Sequence, residues 1–408
     1  MALNLDFTTE DEHFRDEVRA FLAEHLTDDL RREARRQTTV FPEKDVAMRW
    51  QRVLHEQKGW AAPTWPAEFG GPGWNATQRY IFNEECARAG APGLIPLGTR
   101  MLAPVLFRYG TPEQQAFYLP RMLAGEHYWC QGYSEPGSGS DLGSLKTQAV
   151  RVQDPEHGDH YIVNGAKIWQ THGHFADHIF CLVRTRADGK PQAGISFLLI
   201  DMATPGIRVD PIITIAGDHE VNAVFFDDVR VPVDNRVGPE HEGWSVAKYL
   251  LEFERGGGGA AVGLKLQLES LKRIAGGVTE AGERLLDEPA FAGRMHALDI
   301  RTQAFEFAEL KTLARLAEGG SPGPESSLAK NTGVDLQQAL NTLLLEAIGW
   351  YGVPHHNLMR LTDNNAPTVG PEAYEPINGR YLNSRAASIF GGSQEVQKNI
   401  IAKAVLGL

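Results

Sequence analysis

The sequence pattern changes at two points along the chain, and these changes constrain the fold more than any single motif. Residues 1–127 read as helical, residues 128–236 carry short runs of β-branched and aromatic residues, and residues 237–408 read as helical again. No helix-length segment separates the strand-like runs, which argues against a doubly wound parallel sheet. We therefore predict an α+β protein, mainly α, with an N-terminal α-helical domain, a middle antiparallel β-barrel or sandwich and a C-terminal four-helix bundle.

Local patterns give more detailed expectations. Thr9 followed by Glu12 predicts a capping box at the start of the first helix. The run YIVNGAKIW (161–169) predicts a β-hairpin that turns at Asn164-Gly165. The C-terminal domain is expected to contain long helices near 243–276, 290–318, 326–350 and 384–406.

Composition restricts the classes of function. The formal net charge of −12 argues against binding to nucleic acid or to an anionic membrane surface. No apolar run reaches the roughly 18 residues of a membrane-spanning helix, and the acidic N-terminus does not resemble a secretory signal. The three cysteines show no metal-binding spacing and fit a reducing compartment, so we expect a cytoplasmic protein.

Two segments have the residue types of a cofactor site. The loop YSEPGSGSDLGSLKT (133–147) offers backbone N–H groups and hydroxyls that suit a pyrophosphate, although it lacks the spacing of dinucleotide-binding and P-loop motifs. The segment KIWQTHG (167–173) places an indole beside a hydroxyl, which could hold a flat heterocycle. A plain surface turn and an ordinary strand end are the alternative explanations. His172, His174 and His178 follow no standard metal-site spacing.

Five motifs in a fixed order resemble those of the acyl-CoA dehydrogenase family. They are EPGSGSD, VNGAKIWQT, FFDDVRVP, FERGG and IFGGSQEVQKNIIAK, and they span nearly the whole chain. The resemblance is strongest to the branch of two-subunit bacterial enzymes. It implies FAD as cofactor, α,β-dehydrogenation of an acyl-CoA thioester to the trans-2-enoyl-CoA, and an electron-transfer flavoprotein as electron acceptor.

The resemblance also assigns the residues that would bind the cofactor. Ser134 and Thr171 would lie near the edge of the isoalloxazine ring, with Trp169 as a wall. Ser140 would lie near the pyrophosphate and the pantetheine arm of the substrate. Ser393 and Glu395 would approach the adenylate half of FAD.

The catalytic base is expected in an unusual place. Many family members carry a catalytic glutamate where this chain has Gly391, which can still donate its backbone N–H to the thioester carbonyl. A second family arrangement places the glutamate on the first long helix of the C-terminal domain, and Glu254 stands there. Neighbouring leucines would raise its pKa by desolvation. Arg255 matches a family arginine expected to bind substrate, and a solvated ion pair between Glu254 and Arg255 or Lys248 is the alternative explanation.

One family motif is missing. Residues 272–300 contain no R-x-x-F-G motif, which in the family reaches across the dimer to the neighbouring FAD. We therefore expect a homo-oligomer with other residues in that role, or a heteromer with a second acyl-CoA dehydrogenase-like subunit. A non-catalytic subunit of such a heteromer, and a flavin oxidase or monooxygenase on the same scaffold, are the competing hypotheses.

Overall fold

The N-terminal part of the chain is helical, as predicted. The computed structural model describes residues 7–156, 158–255, 259–278, 282–317, 323–354 and 369–408, apart from the side chains of Glu254, Arg255 and Ala317. The N-terminal helices are α1 (Thr9–His25), α2 (Asp28–Arg36), α3 (Lys44–Lys58), α4 (Ala76–Ala89), α5 (Ala103–Tyr109) and α6 (Pro112–Leu123).

The first helix begins one residue earlier than the sequence pattern indicated. The Thr8 hydroxyl accepts a hydrogen bond from the Asp11 backbone N–H at 3.2 Å, and the Asp11 carboxylate accepts one from the Thr8 backbone N–H at 2.9 Å. The predicted pair of Thr9 and Glu12 is therefore wrong, because Thr9 already lies inside α1. Two overlapping threonine–acid pairs compete here, and the structure forms the box with the shorter aspartate.

The middle domain is built on one mixed sheet. Its strands are β1 (Trp129–Gly132), β2 (Gln148–Asp154), β3 (Gly158–Thr171), β4 (His178–Arg184), β5 (Ile195–Asp201), β6 (Ile207–Ile213), β7 (His219–Pro232) and β8 (Arg236–Val237). Within the described residues these eight strands follow the order β6-β7-β3-β2-β4-β5-β8, with β1 beside β4. Most neighbouring strands pair antiparallel, as expected, while β1 and β2 each pair with β4 in parallel.

The predicted hairpin at Asn164-Gly165 is wrong. Strand β3 continues through both residues, and its register against β7 shifts between Val163 and Gly165, as at a β-bulge. Gly165 has φ 147°, and a Cβ there would lie 2.7 Å from the Thr147 Cα. Asn164 donates from Nδ2 to the Asp228 carboxylate and accepts from the Asp228 backbone N–H, both at 2.9 Å. The dipeptide that usually closes a tight turn instead bends a long strand.

The helices of the C-terminal domain are α7 (Gly243–Arg255), α8 (Ala260–Ala275), α9 (Pro289–Ala317), α10 (Glu325–Ala347), α11 (Glu375–Asn383) and α12 (Gln394–Ile401). Helices α8 to α11 pack around a separate core of Leu, Phe, Ile, Met and Ala side chains, while α7 contributes to the core of the N-terminal helices and the sheet. No helix in the described part of the chain is long and apolar enough to cross a membrane. The order of helical, sheet and helical domains matches the predicted fold class.

Two of the predicted long C-terminal helices are each divided. Within the helix expected over 243–276, α7 spans Gly243–Arg255 and α8 spans Ala260–Ala275, and Gly259 just before α8 has φ 82°, a left-handed value that does not continue a helix. The helix expected over 384–406 is interrupted by Gly391 and Gly392, with φ of 64° and 84°. Glycines with left-handed φ therefore lie where hydrophobic periodicity predicted continuous helices.

The start of α8 is capped from another helix. The Glu309 carboxylate on α9 accepts hydrogen bonds from the backbone N–H groups of Ala260 at 3.1 Å and Ala261 at 3.0 Å. Burial raises the pKa of Glu309 although these amide donors oppose the shift. The cap satisfies N–H groups that the glycine before α8 cannot satisfy with a side chain.

Candidate active site

Trp169 is held on a strained and exposed position near the end of β3. The register of β3 against β7 shifts between Ile168 and Gln170, so Trp169 occupies a bulge. Its φ is 68°, which is rare for a bulky residue, and its side chain is 58% exposed. Thr171 follows two residues later and pairs with Val221. Strain of this kind is retained where the surrounding structure uses the side chain it presents.

Ser134 lies beside this bulge. The backbone N–H of Ile168 donates to the carbonyl oxygen of Ser134 at 2.9 Å, which joins the loop 133–147 to β3 just before Trp169. The structure therefore brings together Ser134, Trp169 and Thr171, which are the residues expected along the flavin edge.

A buried ion pair fixes this junction. Lys167 is 0% exposed, and its Nζ donates to Glu135 Oε1 at 2.8 Å and to the Tyr133 carbonyl at 3.2 Å. Glu135 also accepts from the backbone N–H groups of Lys146 at 2.6 Å and Thr147 at 2.8 Å. Burial alone would raise the pKa of Glu135, but Lys167 and these amides outweigh it and hold the pKa below its usual value.

Sequence reasoning missed both members of this pair. Lys167 stands in alternation with Tyr161 and Val163, which are inward positions of β3, so it fills a position where an apolar residue would be expected. A lysine at an inward strand position requires a buried partner. That pattern indicates an ion pair, although it does not say which carboxylate supplies it.

The rest of the glycine-rich loop leaves open space beside it. A Cβ at Gly137 or Gly139 would meet no atom within 4 Å, so packing against the described protein does not explain these glycines. Ser140 is exposed. Ser138 is buried instead, and its hydroxyl lies 2.5 Å from that of Ser144. An open loop of glycines and hydroxyls fits a pyrophosphate, while Ser138 and Ser144 hold the loop in shape.

His172 is a buried residue that follows directly after β3 and the bulge at Trp169. It is buried with φ 56°, and its Nδ1 lies 2.6 Å from the Tyr128 hydroxyl. Burial, with the nearby His174 and His219 rings, lowers the pKa of His172 to about 4, so the ring is neutral near pH 7. The rings of His174 and His219 stack with their centroids 3.8 Å apart.

No group of His, Cys, Asp and Glu residues in the described ranges is placed to hold a metal ion.

The glycine pair near the C-terminus forms a fixed turn. Gln397 donates from Nε2 to the carbonyl of Gly391 at 3.2 Å, and Lys330 donates from Nζ to the carbonyl of Gly392 at 2.8 Å. A Cβ at Gly392 would lie 2.3 Å from Gln397 Nε2. The backbone N–H of Gly391 makes no hydrogen bond within the described part of the chain. The carbonyl groups of Gly391 and Gly392 are thus held by Gln397 and Lys330, and the backbone N–H of Gly391 is available as a hydrogen-bond donor.

Ser393 and Glu395 lie at the start of α12. The Ser393 hydroxyl accepts from the backbone N–H of Val396 at 3.4 Å and caps the helix. Glu395 is exposed in the first turn, and hydrogen bonds from its own backbone N–H and from Ser393 lower its pKa. Their predicted approach to adenylate stays a prediction.

The predicted residues Glu254 and Arg255 end α7, and their side chains lie outside the described residues. The turn before them is described. Leu250 is fully buried in a core shared with Leu106 of α5 and Phe197 of β5. Helix α7 therefore reaches its end at the junction of the N-terminal helices and the sheet.

These residues fit a bound flavin nucleotide. An exposed indole, two nearby residues with hydroxyl side chains and an open glycine-rich loop lie on one connected stretch of β3 and the loop before β2. A flat ring needs an apolar wall and a few polar groups that fix its orientation, and this stretch supplies both.

Comparison with known proteins gives the family. Three models of the acyl-CoA dehydrogenase family match, the N-terminal domain over residues 8–126, the middle domain over 130–229 and the C-terminal domain over 241–406. Acyl-CoA dehydrogenase IpdE1 of Mycobacterium tuberculosis is 34% identical over 405 residues, which cover 97% of each chain. Acyl-CoA dehydrogenase FadE26 of the same organism is 33% identical over 420 residues, covering 100% of this chain and 99% of that protein.

Solved structures agree with this assignment. The ChsE4–ChsE5 complex from Mycobacterium tuberculosis contains a chain 31% identical to this one, with a TM-score of 0.80 and 99% of both chains covered. The Tcur3481–Tcur3483 steroid acyl-CoA dehydrogenase contains a chain 26% identical, with a TM-score of 0.81 and 99% of both chains covered. The chain therefore belongs to the acyl-CoA dehydrogenase family and is an FAD-dependent acyl-CoA dehydrogenase.

Proposed function

We propose that the chain desaturates an acyl-CoA thioester between its α and β carbons, giving the trans-2-enoyl-CoA, with Glu254 as the base that takes the α-proton. The observation that carries this proposal is the strained, exposed Trp169 beside Thr171 and Ser134. In this cluster the Trp169 indole would pack against the isoalloxazine ring of the flavin, and Ser134 and Thr171 would offer hydrogen bonds to its edge. FAD, when bound, supplies the acceptor for the β-hydrogen, which leaves as hydride.

Helix periodicity is the reason for proposing Glu254. Position 254 follows Leu250 by one turn of α7, and Leu250 is fully buried. A carboxylate beside apolar side chains loses water, which suits a general base, and this environment is proposed for Glu254. Glu252 is exposed and lies about 200° from position 254 around the helix axis. Arg255, next in the chain, is proposed to bind the substrate.

Gly391 is proposed to hold the thioester. A glycine at this position cannot accept a proton, but its backbone N–H makes no bond to the described protein and can donate to the thioester carbonyl. That bond would stabilise the negative charge that develops on the carbonyl oxygen when the α-proton leaves. Lys330 and Gln397 keep the turn in place by binding its carbonyl groups.

The remaining cofactor and substrate contacts divide between two regions. Ser140 on the open loop is proposed to lie near the pyrophosphate and the pantetheine arm of the substrate. Ser393 and Glu395 at the start of α12 are proposed to lie near the adenylate half. The electrons are proposed to leave through an electron-transfer flavoprotein.

The acyl group is proposed to be bulky, either branched or polycyclic. Gly391 removes a side chain where many family members carry a glutamate, which leaves space beside the thioester. A solved relative, 26% identical over 99% of the chain, is named a steroid acyl-CoA dehydrogenase. Both points favour a branched or polycyclic acyl chain, including one derived from a steroid, over a short linear chain.

The working assembly is proposed to be a heteromer with a second acyl-CoA dehydrogenase-like subunit. The segment 272–300 lacks the motif that crosses a homodimer to the neighbouring flavin. The relative in the ChsE4–ChsE5 complex is named as part of a complex of two different proteins. The helical domain also exposes Ile300 and Phe307 on α9, and Trp350 after α10 is 88% exposed. Ile300 and Phe307 are seven residues apart and so lie on one face of α9, and contiguous exposed apolar surface of this kind marks interaction sites.

The experiment that tests the base compares two variants of one helix. Glu254→Gln should keep its FAD and lose turnover by at least about a hundredfold, since general-base catalysis typically contributes 10²–10⁴. Glu252→Gln is the matched control and should retain turnover. FAD content, measured from the visible flavin band, is compared for both proteins. Equal turnover of the two variants would place the base elsewhere.

The partner and the substrate are tested together. The chain is expressed alone and with the product of a neighbouring acyl-CoA dehydrogenase-like reading frame, and the FAD content and mass of each preparation are measured. Turnover is then followed on linear, branched and polycyclic acyl-CoA thioesters. The proposal expects FAD retention and turnover to require co-expression, with bulky thioesters preferred. A fully active, FAD-loaded homo-oligomer with a preference for short linear chains would refute both points.

A further inference from the structure

Glu220 is a buried carboxylate that contacts three parts of the fold at once. It lies near the start of β7 and is 3% exposed. Its Oε1 accepts from the backbone N–H groups of Val40 at 2.6 Å and Phe41 at 3.4 Å. Its Oε2 accepts from Asn383 Nδ2 at 2.9 Å. One side chain thus binds the N-terminal loop before α3 and the last residue of α11.

The backbone of the same residue holds the predicted flavin edge. The N–H of His172 donates to the carbonyl oxygen of Glu220 at 2.8 Å. In the next pair along the sheet, Thr171 faces Val221. The turn that presents Thr171 is therefore attached to Glu220 directly.

No cationic side chain pairs with Glu220 among the described residues, and its partners are neutral donors. Burial raises its pKa, and the nearby Asp218 adds to that rise. Burying a carboxylate without a cation is costly, and an apolar residue would pack at the same place without that cost. The hydrogen bonds that Glu220 makes are therefore a reason for its presence beyond packing.

We propose that Glu220 is a positioning residue that fixes the segment leading to Gly391 relative to Thr171, so that the thioester and the ring edge are held at reacting distance. The inference rests on the proposed function, in which these two segments flank the reacting atoms. Asn383 ends α11, and the chain runs from it through a short helical turn to Gly391. Arg380 on α11 also binds the carbonyls of Arg35 and Gln37, next to the loop that Glu220 holds. Glu220 thus links both the loop before α3 and the end of α11 to the sheet, and the Thr38 hydroxyl adds a hydrogen bond from the same loop to the Asp218 carboxylate at 3.1 Å.

The test exchanges the hydrogen-bond donor and acceptor between Glu220 and Asn383. Glu220→Gln keeps an oxygen for the Val40 N–H but turns a second donor toward Asn383. It should lower kcat per bound FAD about tenfold or more with KM little changed, since displacements near 1 Å at a reacting centre can cost up to about 10². The double variant Glu220→Gln/Asn383→Asp restores a donor–acceptor pair and should recover most of kcat. Hydrogen–deuterium exchange of segments 38–41 and 384–393 should rise in the single variant and fall again in the double variant.

Two further variants separate positioning from general stability. Glu84→Gln alters another buried carboxylate, which pairs with Arg15 and Arg88, and should lower stability while leaving kcat per FAD unchanged. Asn383→Ala removes one donor and remains informative if Glu220→Gln does not fold, with the same expected fall in kcat.

The outcomes are distinct. An unchanged kcat per FAD in Glu220→Gln or Asn383→Ala, or a double variant that does not recover, overturns the inference. A wild-type protein, loaded with FAD and with its partner, that turns over no acyl-CoA thioester overturns the proposed function instead. The exchange measurement needs no turnover and reports the link in either case.

Discussion

Removing the ammonium group of Lys167 should destabilise the middle domain and loosen its hold on FAD. Lys167→Met keeps nearly the same side-chain length and volume, so it leaves little cavity in the fully buried site. It leaves the Glu135 carboxylate buried without its cation. The change therefore isolates the electrostatic contribution of the pair.

The expected magnitude follows from the contacts that remain. Removing one partner of a buried ion pair typically costs about 3–5 kcal/mol. Glu135 would keep its hydrogen bonds from the backbone N–H groups of Lys146 and Thr147, so the lower end of that range applies. We expect the free energy of unfolding to fall by about 3 kcal/mol, which is more than a hundredfold in the unfolding equilibrium.

The assay is a double-mutant cycle. Lys167→Met, Glu135→Gln and the double variant are unfolded in urea at one FAD concentration, with refolding checked, because bound cofactor itself shifts apparent stability. The double variant leaves no unpaired charge, and its loss should be about 2–3 kcal/mol smaller than the two single losses together. FAD affinity should fall in both single variants, since Ser134 is attached to the strand next to the pair. A coupling energy below about 0.5 kcal/mol would show that Lys167 and Glu135 do not stabilise the fold as a pair, and unchanged FAD affinity would show that the pair does not support the cofactor site.

Two further predictions concern β3 and the residue that follows it. Gly165→Ala should destabilise the protein by about 1–3 kcal/mol, because φ is 147° and the new Cβ would lie 2.7 Å from the Thr147 Cα; Gly137→Ala, where a Cβ meets nothing within 4 Å, is the control and should cost far less. The native state holds His172 neutral with its pKa lowered to about 4, whereas the unfolded chain binds that proton near pH 6.5, so stability should fall as pH drops from about 6.5 to 4. His172→Gln should flatten that fall in urea unfolding midpoints measured across the pH range, and an equally steep fall would contradict the assignment.

The order of the domains could be predicted because it depends on residue pattern alone. Alternating short apolar runs indicate strands and helical spacing indicates helices, whatever the partners are. The points where a strand bends or a helix is divided could not be predicted in the same way. Asn164-Gly165 has the composition of a turn, but the partner strand carries Asp228 opposite it, and the two side chains hold a bulge in a continuous strand. Tertiary contacts here outweigh the usual preference of Asn-Gly for a tight turn.

Some residues of the candidate site could likewise be predicted from the sequence, and others could not. Ser134, Trp169 and Thr171 were predicted from motifs, and the structure brings them together. Lys167 and Glu135 were missed because they are 32 positions apart and their pairing depends on how the loop folds back on β3. Glu220 was missed for the same reason, since its partners lie 180 and 163 positions away. Motifs indicate residues that meet the ligand, while the residues that hold those motifs in place are found from contacts distant in sequence.

The most direct measurement is anaerobic mixing of the FAD-loaded protein, with its partner subunit, and a saturated acyl-CoA thioester, followed by the visible flavin band. The band should bleach rapidly in the wild-type protein, and at least about a hundredfold more slowly in Glu254→Gln. Bleaching at the same rate in both proteins, or no bleaching in the wild type with any thioester tested, would contradict this expectation.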